Sequence, residues 1–405
     1  MEKEIEAIIN SFVFDFDQRK LEALDKILFS LLLKKELMLF AGKNTPEIQK
    51  IERVLSRYHN YRDLILKRLL GKGGRGGDWL IKKLYLAPAR LILLVTRDCQ
   101  LRCKYCRIRK FPASMREDVL YKAIDLIFTS NRQDLQIQFF GGEPLLRFDL
   151  VKKGVEYAQR INRQFNRDLT FMLTTNGIAL DKEKTRFLKE HNFLVECSID
   201  GEITSQLRKR KAVDGRNYYS HLIDNLKGFF RAEIPHYSIS VVTPQDASSA
   251  FKTFKYLGDL GFKRLQINYS LGVWWPPTAI KEFFKQTAKI IDYIKKRPEV
   301  EFINLGGTRR EPVVLNAELT VDCEGGIFLE SGISLEENFM AMKKKFLVTD
   351  VSKAKNINLH TSTQFQNFYQ LSKVYSETSP KRRIILNNVL LGKEFEVFLK
   401  KTSEL

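Results

Sequence analysis

The 405-residue chain is 44% hydrophobic and 29% charged, a composition typical of a folded globular protein and unlike that of collagen, coiled coils or disordered chains. No apolar run approaches the roughly 18 residues that cross a membrane, and the acidic first residues do not form a secretory leader, so we expect a cytoplasmic protein. Lys and Arg number 68 against 48 Asp and Glu, and the resulting net charge of +20 favours an acidic partner such as nucleic acid, a peptide or a protein.

The first predicted region covers residues 1–77 and consists of helices followed by a glycine-rich linker. Apolar residues recur at helical spacing through residues 21–32 and again through residues 51–61. Residues 71–77, GKGGRGG, contain five glycines but lack the Lys-Ser/Thr ending of a phosphate-binding P-loop. This composition is typical of a flexible linker.

Between residues 78 and 300, short strand-like runs alternate with amphipathic helical stretches. Runs rich in apolar or β-branched residues predict six strands, at 91–96, 135–140, 169–174, 193–199, 237–243 and 263–269. Ser114 and Glu117 predict a capping box at the start of the first helix that separates them. This alternation predicts an α/β region with parallel strands, either an open doubly wound sheet or a partial TIM-type barrel.

The alternation stops in the last predicted region, residues 301–405. Two strand-like runs, 319–321 and 327–329, flank the turn sequence DCEGG and predict a β-hairpin. Helical stretches follow and end in a Lys-rich amphipathic tail. We therefore expect a small C-terminal α+β domain.

Three of the five cysteines lie within eight residues, in the segment CQLRCKYC directly after the first predicted strand. A disulfide framework does not explain such clustering in a chain of this length, whereas metal binding does. Cys99, Cys103 and Cys106 can each bind one iron of a [4Fe–4S] cube and leave the fourth iron open for chemistry. The alternative is a zinc site that a distant residue completes, such as His191 or His236.

Polar and glycine motifs end the next three predicted strands. Gly141, Gly142 and Glu143 follow the second strand, where glycines allow close approach to the backbone and a carboxylate can accept hydrogen bonds from an ammonium group. The third and fourth strands end in the sequences TNG and SIDG, which carry hydroxyl, amide and carboxylate groups suited to a ribose. Sites of α/β enzymes gather at these carboxyl ends of the strands.

These motifs together resemble those of the radical S-adenosylmethionine (radical SAM) superfamily, and in particular its anaerobic sulfatase-maturase and SPASM-type peptide-modifying subgroup. CQLRCKYC is similar to the CxxxCxΦC motif of the family, with Tyr105 at the aromatic position. The sequence GGE at 141–143 is similar to the motif that binds the amino group of S-adenosylmethionine. TNG and SIDG resemble the corresponding segments of the subgroup, and the resemblance covers roughly residues 88–275.

The resemblance implies a partial (β/α)6 barrel that binds one [4Fe–4S] cluster through the three clustered cysteines. It also implies that S-adenosylmethionine contacts Tyr105, Gly141, Gly142, Glu143, Asn176, Ser198 and Asp200. In the subgroup an arginine a short way past SIDG contacts the cofactor carboxylate, and Arg208, or alternatively Arg216, is the candidate here.

The implied activity is reductive cleavage of S-adenosylmethionine to a 5′-deoxyadenosyl radical that abstracts hydrogen from a peptide or protein. The product would be a post-translational crosslink, thioether or epimer, formed under anaerobic conditions, and a leader segment could help to bind the peptide substrate. Two basic runs lie beside the motifs, the residues Arg102, Lys104, Arg107, Arg109 and Lys110 and the residues Arg208, Lys209, Arg210 and Lys211. Their positive charge would attract an acidic ferredoxin or flavodoxin as electron donor and could also steer an acidic peptide, and the alternative is solvated loop charge without a partner.

The sequence departs from the subgroup in its C-terminal region, where related enzymes carry cysteines for auxiliary clusters. Glu330 stands where a ligand cysteine is expected, and Cys197 and Cys323 are too few to hold a further cluster. We therefore predict a single cluster and a SPASM-like domain without metal. Cys323 is either a small buried residue at a turn or a thiol that returns a hydrogen atom to the substrate, as in radical epimerases.

Two other functions stay open from the sequence. The net charge and the Gly-Arg linker favour an RNA-modifying radical SAM enzyme, although the sequence carries no recognisable RNA-binding module. A non-catalytic iron–sulfur or zinc protein would explain the cysteines but not the glycine pair and Glu143 that follow the second strand.

Overall fold

The structure is a computed structural model and describes residues 18–43, 45–71, 88–306, 311–316, 318–357 and 364–403. Most of the predicted glycine-rich linker lies outside these residues. The helices are α1 (Gln18–Phe40), α2 (Pro46–Gly71), α3 (Glu117–Phe128), α4 (Phe148–Phe165), α5 (Lys182–Glu190), α6 (Ile203–Lys209), α7 (Tyr219–Phe230), α8 (Ala250–Leu260), α9 (Pro277–Lys295), α10 (Glu330–Ser334), α11 (Met340–Lys345), α12 (Gln364–Ser372) and α13 (Pro380–Ser403). None of the described helices is long and apolar enough to span a membrane.

Ten of the strands form one sheet, and two short strands form a separate ribbon. The strands are β1 (Arg90–Thr96), β2 (Leu101–Cys103), β3 (Asp134–Gly141), β4 (Asp168–Thr175), β5 (Leu194–Ser198), β6 (Arg210–Ala212), β7 (His236–Val242), β8 (Arg264–Tyr269), β9 (Glu301–Phe302), β10 (Leu319–Val321), β11 (Gly326–Leu329) and β12 (Leu347–Asp350). The sheet has the order β12-β11-β10-β1-β3-β4-β5-β7-β8-β9, and β2 pairs with β6 in the ribbon.

The central strands β1, β3, β4, β5, β7 and β8 are the six predicted from the sequence, each within one residue at either end. They pair in parallel and follow one another across the sheet in chain order. A doubly wound sheet would instead reverse its strand order at a switch point.

The helices that connect these strands pack on one face of the sheet, and the opposite face lines a cavity. Helix α3 packs on β1 and β3, α4 packs on β4, and α8 packs on β7 and β8. Repeated right-handed crossovers in one direction place all helices on the outside, which is the arrangement of a (β/α) barrel. The strand order therefore confirms the predicted partial barrel and excludes the doubly wound alternative, and the two edge strands, β12 and β9, are not paired with each other.

The predicted capping box at α3 is wrong. The helix begins at Glu117, and Arg116 at its N-cap makes no side-chain capping hydrogen bond. The Ser114 hydroxyl lies instead 3.1 Å from the Thr96 hydroxyl at the end of β1. Thr96 also donates to the Ala113 carbonyl at 2.9 Å. These two contacts of Thr96 fix the segment after the cysteine loop to the sheet.

The C-terminal region extends the main sheet. Strand β10 pairs in parallel with β1, and Leu91 lies opposite Leu319. Strands β10 and β11 form the predicted antiparallel hairpin, with Gly325 at φ +98° in its turn. The boundary predicted near residue 300 therefore does not separate two sheets.

The N-terminal helices pack against the C-terminal ones. Phe29 of α1 contacts Phe368 of α12 with ring centroids 5.3 Å apart. Arg382 of α13 donates two hydrogen bonds of 2.8 Å to the buried carboxylate of Glu36. A bidentate arginine–carboxylate pair fixes orientation as well as distance, so α1 is held in register with α13.

A buried ion network joins the end of β1 to the C-terminal region. Arg97, only 1% exposed, contacts the carboxylate of Glu336 and lies 3.5 Å from that of Asp322. Glu336 also accepts hydrogen bonds from Lys343 at 2.8 Å and from the amide of Arg109 at 2.8 Å. Because Arg97 and Arg109 lie on either side of the cysteine segment, this network fixes both ends of that loop.

We predict that Glu336→Ala lowers the free energy of unfolding by about 3 kcal/mol, because it leaves Arg97 buried with only the longer contacts to Asp322 at 3.5 Å and Glu324 at 3.8 Å. Glu337→Ala is the matched control, since Glu337 is exposed and its backbone contact survives the substitution. The control should stay within about 0.5 kcal/mol of the unmodified protein in urea unfolding. Equal destabilisation by the two variants would contradict this account of the network.

Candidate functional site

A cavity of about 710 Å³ lies against the inner face of the central strands. Its walls are alternate residues of each strand, because successive side chains of a strand point to opposite faces. These residues are Arg90 and Ile92 on β1, Gln138 and Phe140 on β3, Met172 and Thr174 on β4, Leu194, Glu196 and Ser198 on β5, Tyr237, Ile239 and Val241 on β7, and Arg264, Gln266 and Asn268 on β8. The carboxyl end of the cavity is formed by the cysteine loop and the motifs that follow the strands.

All three clustered cysteines line this carboxyl end. The β2–β6 ribbon holds their loop, with Cys103 opposite Arg210 in its register and the amide of Lys104 donating to the Lys209 carbonyl at 2.9 Å. Cys99 is buried, and its sulfur accepts a hydrogen bond from the amide of Leu101 at 3.4 Å. The thiols are thus presented from a loop that is fixed on both sides.

Burial raises the pKa of Cys99, and it raises the pKa of Cys103 to about 12. Burial also acts to lower the pKa of the neighbouring Lys110, but the thiols of Cys106 and Cys99 outweigh it and raise that pKa. Cysteine ligands bind metal as thiolates, so metal binding here requires loss of these protons.

The histidines predicted to complete a zinc site do not line the cavity beside the cysteines. Within the described ranges, no three His, Cys, Asp or Glu side chains are grouped so as to hold one ion. His191 and His236, the residues proposed to complete a zinc site, contact Gln159 and the Ile234 carbonyl and are absent from the cavity lining. Thiols that bind different irons of a cube need not converge on one point, so these cysteines suit a [4Fe–4S] cluster.

Gly141 and Gly142 bring the end of β3 against the end of β1. A Cβ atom on Gly141, at φ +143°, would lie 2.3 Å from the Thr96 carbonyl oxygen, and one on Gly142 would lie 2.0 Å from that of Asp98. The amide of Gly142 donates to the Thr96 carbonyl at 2.7 Å, and the amide of Glu143 donates to the Asp98 carbonyl at 2.8 Å. The glycines therefore allow two backbone segments to touch, and both also line the cavity.

This contact fixes Glu143, which is 1% exposed and faces the cavity. Its carboxylate accepts hydrogen bonds from the Thr175 hydroxyl at 2.8 Å, the Asn176 amide at 2.8 Å and the Leu145 amide at 3.1 Å. Burial raises the pKa of Glu143, and the hydrogen bonds oppose the shift. A carboxylate has about four acceptor positions, so one stays available to a ligand.

Asn176 and Ser198 end the next two strands and also line the cavity. The Asn176 side chain accepts from the Ile178 amide at 3.0 Å, and its Nδ2 lies 3.9 Å from the Cys99 sulfur. Asn176 therefore joins the TNG motif to the first cysteine. The structure thus gathers Tyr105, Gly141, Gly142, Glu143, Asn176 and Ser198 around one space.

Asp200 has a different position from the one predicted. It is fully buried, is absent from the cavity lining and accepts hydrogen bonds from Tyr105 at 2.6 Å, Arg210 at 2.7 Å and the Val241 amide at 2.9 Å. Burial acts to raise its pKa, but Arg210 and Lys209 outweigh it and lower the pKa. Asp200 is a positioning residue because its acceptor positions hold the cysteine loop, the ribbon and β7 together.

Arg208 and Arg216 also lie away from the cavity. Arg208 is exposed on α6 and contacts the carboxylate of Asp246, and Arg216 pairs with Asp214 at 2.7 Å. Arg210 is the arginine past SIDG that lines the cavity, with its guanidinium 5.4 Å from the centre of the Tyr105 ring. The sequence offered four basic residues in a row, and only the turn from α6 into β6 decides which one faces inward.

The two isolated cysteines are core residues. Cys197 is fully buried, and burial raises its pKa. Cys323 donates to the Leu94 carbonyl at 3.1 Å, lies outside the cavity lining and has a pKa raised to about 12 by burial. Cys323 therefore has the surroundings of the first of its two predicted alternatives, a small buried residue at a turn, and the hydrogen-donor role stays an untested prediction.

Sequence reasoning missed the polar residues of the inner wall. Gln138 donates to the Thr174 hydroxyl at 2.9 Å, Gln266 donates to Asn268 at 2.9 Å, and Tyr237 donates to Glu196 at 2.6 Å. For the glutamines and Asn268 the signal is a polar residue at every second position of β3 and β8, between apolar residues. Such alternation in a parallel strand indicates an inner face that is not filled by apolar packing.

Comparison with known proteins identifies the domain that carries this site. Residues 93–264 match the Radical SAM superfamily. The uncharacterized protein MJ0907 of Methanocaldococcus jannaschii is 33% identical over 183 residues, which cover 44% of this chain and 61% of that protein. A cysteine-type anaerobic sulfatase-maturating enzyme of Clostridium perfringens is 29% identical over 185 residues, which cover 44% of this chain and 50% of that enzyme.

A solved structure supports the same fold. Native anSMEcpe with bound AdoMet and Cp18Cys peptide superposes with a TM-score of 0.63 at 20% identity, over 78% of this chain and 99% of that one. Residues 93–264 therefore form a radical SAM domain, a class whose cofactors are a [4Fe–4S] cluster and S-adenosylmethionine. Over part of its length the chain is similar in sequence to a sulfatase-maturating enzyme, and it spans only about half the length of the curated relatives it matches.

We predict that Gly142→Ala lowers the free energy of unfolding by about 3 kcal/mol, because the new methyl group overlaps the Asp98 carbonyl and parts the ends of β1 and β3. Gly228→Ala is the control, since Gly228 is exposed in α7 and its added methyl group meets no atom within 4 Å. The control should gain up to about 1 kcal/mol from helix propensity in the same urea titration. Equal stability of the Gly142 variant and the unmodified protein would refute the close contact.

A second prediction distinguishes the roles of Arg208 and Arg210 in binding S-adenosylmethionine. Arg208→Ala should leave the affinity for S-adenosylmethionine within about twofold, because Arg208 is exposed and lies outside the cavity. Arg210→Ala should weaken it about tenfold or more, because Arg210 lines the cavity and holds Asp200. Isothermal titration calorimetry on the anaerobically reconstituted protein measures both, and the reverse order of effects would restore the assignment from sequence.

Proposed function

We propose that this protein is a radical SAM enzyme that modifies a peptide or protein after translation. The observation that carries the proposal is the shared position of the three-cysteine loop, the glycine pair with Glu143, Asn176 and Ser198. All of them form the carboxyl end of one cavity inside the strands of a radical SAM domain.

In this proposal Cys99, Cys103 and Cys106 hold a single [4Fe–4S] cluster and leave one iron without a protein ligand. Glu143, with its remaining acceptor position, receives the amino group of S-adenosylmethionine, and Asn176 and Ser198 face its polar groups. When bound, the two cofactors supply a 5′-deoxyadenosyl radical that removes hydrogen from the substrate.

The protein's own residues position and shield this chemistry. Backbone hydrogen bonds fix Glu143, and the buried Asp200 fixes Tyr105 and Arg210 at the edge of the cysteine loop. Apolar side chains such as Met172 and Ile239 form part of the walls and limit the water beside the reacting atoms. Reactive intermediates need such exclusion, because water and stray hydrogen donors would quench them.

The inner wall supports a peptide or protein substrate. The carboxamides of Gln138, Gln266 and Asn268 offer donors and acceptors that match the peptide group. A cavity of about 710 Å³ falls within the range of about 300–1,000 Å³ that binds small ligands, so a side chain or short segment could enter beside the cofactor. Related proteins named as sulfatase-maturating enzymes add support for a peptide-type substrate.

Within this function the expected products are a crosslink, a thioether or an epimer. The electron comes from a ferredoxin or flavodoxin, and a leader segment of the peptide could bind outside the cavity.

The test begins with anaerobic reconstitution of the protein with iron and sulfide, followed by dithionite reduction. We predict a [4Fe–4S] absorption and EPR signal and the release of 5′-deoxyadenosine from S-adenosylmethionine. The triple variant Cys99→Ala, Cys103→Ala, Cys106→Ala should lose both, because no thiolates remain to bind iron. The control Cys323→Ala should retain both, since Cys323 lies outside the cavity.

Tetrahedral zinc in place of iron, or a cluster that releases no 5′-deoxyadenosine on reduction, would refute the proposal. Loss of the cluster in the Cys323 variant alone would refute the assignment of ligands. The substrate class is then tested by incubation with candidate peptides and mass spectrometry, which detects a crosslink or thioether by the loss of two hydrogens and an epimer by the gain of one deuterium from heavy water.

A further inference from the structure

The β2–β6 ribbon has two chemically different faces. Its inner face carries Cys103 and Arg210, which lie opposite each other and line the cavity. Its outer face carries Arg102 and Lys211, which also lie opposite each other, followed by the exposed Lys104. Alternation of side chains along a strand produces this division.

The structure sorts eight of the nine residues in the two basic runs into three groups, and the ninth, Arg109, is exposed with its guanidinium 5.7 Å from the centre of the Phe111 ring. Arg107, Lys110 and Arg210 line the cavity. Arg208 and Lys209 contact the carboxylates of Asp246 and Asp200. The third group, Arg102, Lys104 and Lys211, is exposed on the outer face of the ribbon.

No described carboxylate forms an ion pair with any of these three outer residues. The Arg102 guanidinium instead donates to the Cys99 carbonyl at 2.7 Å and the Leu101 carbonyl at 3.1 Å. Like charges that lie directly opposite on paired strands are destabilising, so Arg102 and Lys211 cost the ribbon stability. An acidic surface bound from outside would reverse that cost.

We propose that this outer face, which we call the basic ribbon and define as Arg102, Lys104, Lys211 and Val213, binds an acidic one-electron carrier protein. The inference rests on the proposed function, because the carrier is what reduces the cluster. Val213 is 58% exposed beside the cations and supplies the apolar contact typical of the centre of a protein interface.

The position of the basic ribbon suits electron delivery. Lys104 follows Cys103 directly in the chain, so their Cα atoms are about 3.8 Å apart. A carrier bound to the outer face would be separated from Cys103 only by the thickness of the ribbon and would lie on the side opposite the cavity. Carrier and substrate would therefore bind on different sides of the same ribbon.

The chemical step is a transfer of one electron. The reduced carrier loses one electron and the oxidised cluster gains it, with no bond formed or broken and no proton moved. The ribbon residues take no part in this step and act by raising the rate of association with the acidic carrier.

The test compares two sources of electrons in one assay, the release of 5′-deoxyadenosine. Flavodoxin hydroquinone is the protein donor, and dithionite is the small-molecule donor that needs no docking surface. Lys104→Glu combined with Lys211→Glu should slow the flavodoxin-driven rate about tenfold or more at low ionic strength, because it reverses the charge of the docking surface. The dithionite-driven rate should change by no more than about twofold, as for other exposed substitutions.

Lys189→Glu combined with Lys281→Glu is the matched control, with the same change of charge on exposed residues of α5 and α9. The control should retain the flavodoxin-driven rate. The difference in flavodoxin-driven rate between the unmodified protein and the ribbon variant should also decrease with added salt. Salt shortens the Debye length from about 30 Å at 0.01 M to about 3 Å at 1 M.

An unchanged flavodoxin-driven rate in the ribbon variant, or an equal decrease in the control, would overturn the inference. The inference would also be overturned if the ribbon variant lost affinity for a random-sequence RNA but accepted electrons at the normal rate. The basic ribbon would then be a nucleic-acid binding surface. Failure of dithionite to produce 5′-deoxyadenosine with the unmodified protein would instead refute the proposed function. Direct binding of flavodoxin, measured by calorimetry, separates these two failures.

Discussion

Asp200 is a fully buried carboxylate at the carboxyl end of β5, and three separate segments donate hydrogen bonds to it. The three donors belong to different segments: Tyr105 to the cysteine loop, Arg210 to the β2–β6 ribbon, and the Val241 amide to the neighbouring strand β7. A buried charge is tolerated only when it is paired and hydrogen-bonded, so these contacts must form together. Because the cysteines and Arg210 are placed by this one carboxylate, the shape of the cavity mouth depends on it.

Much of the fold could be predicted because its signals are local. Each central strand is a short apolar run bounded by turns, and the residues at the strand ends meet because parallel strands share a carboxyl edge. The cysteine motif and Glu143 were found in this way. The sequence could not predict which way a side chain points or how far it lies from the cavity. Asp200 is predicted to face a ribose, but its side chain is buried among protein groups. Arg210 lines the cavity, and Arg208 does not.

The other differences have the same origin. Pairing of β1 with β10 joins residues far apart in the chain, which no local pattern reveals, and it makes the C-terminal hairpin a part of the main sheet. Ser114 fits the capping-box pattern, but its hydroxyl bonds to that of Thr96 at the end of β1, and the helix begins after Arg116. The glycine pair was expected to admit a ligand, and it also admits the backbone of β1. In each case a tertiary contact decides the role of a residue whose type was recognised correctly.

The pairing of β1 with β10 has a consequence for biosynthesis. Arg97 precedes the cysteines, yet its partner Asp322 is 225 residues further along the chain. At ~5–20 residues per second, the ribosome adds the second residue on the order of tens of seconds after the first. The thiol loop therefore leaves the ribosome long before the strand that completes its surroundings exists. Insertion of an iron–sulfur cluster into the folded domain must therefore follow synthesis of β10. A nascent chain arrested before β10 would expose the three thiols to solvent.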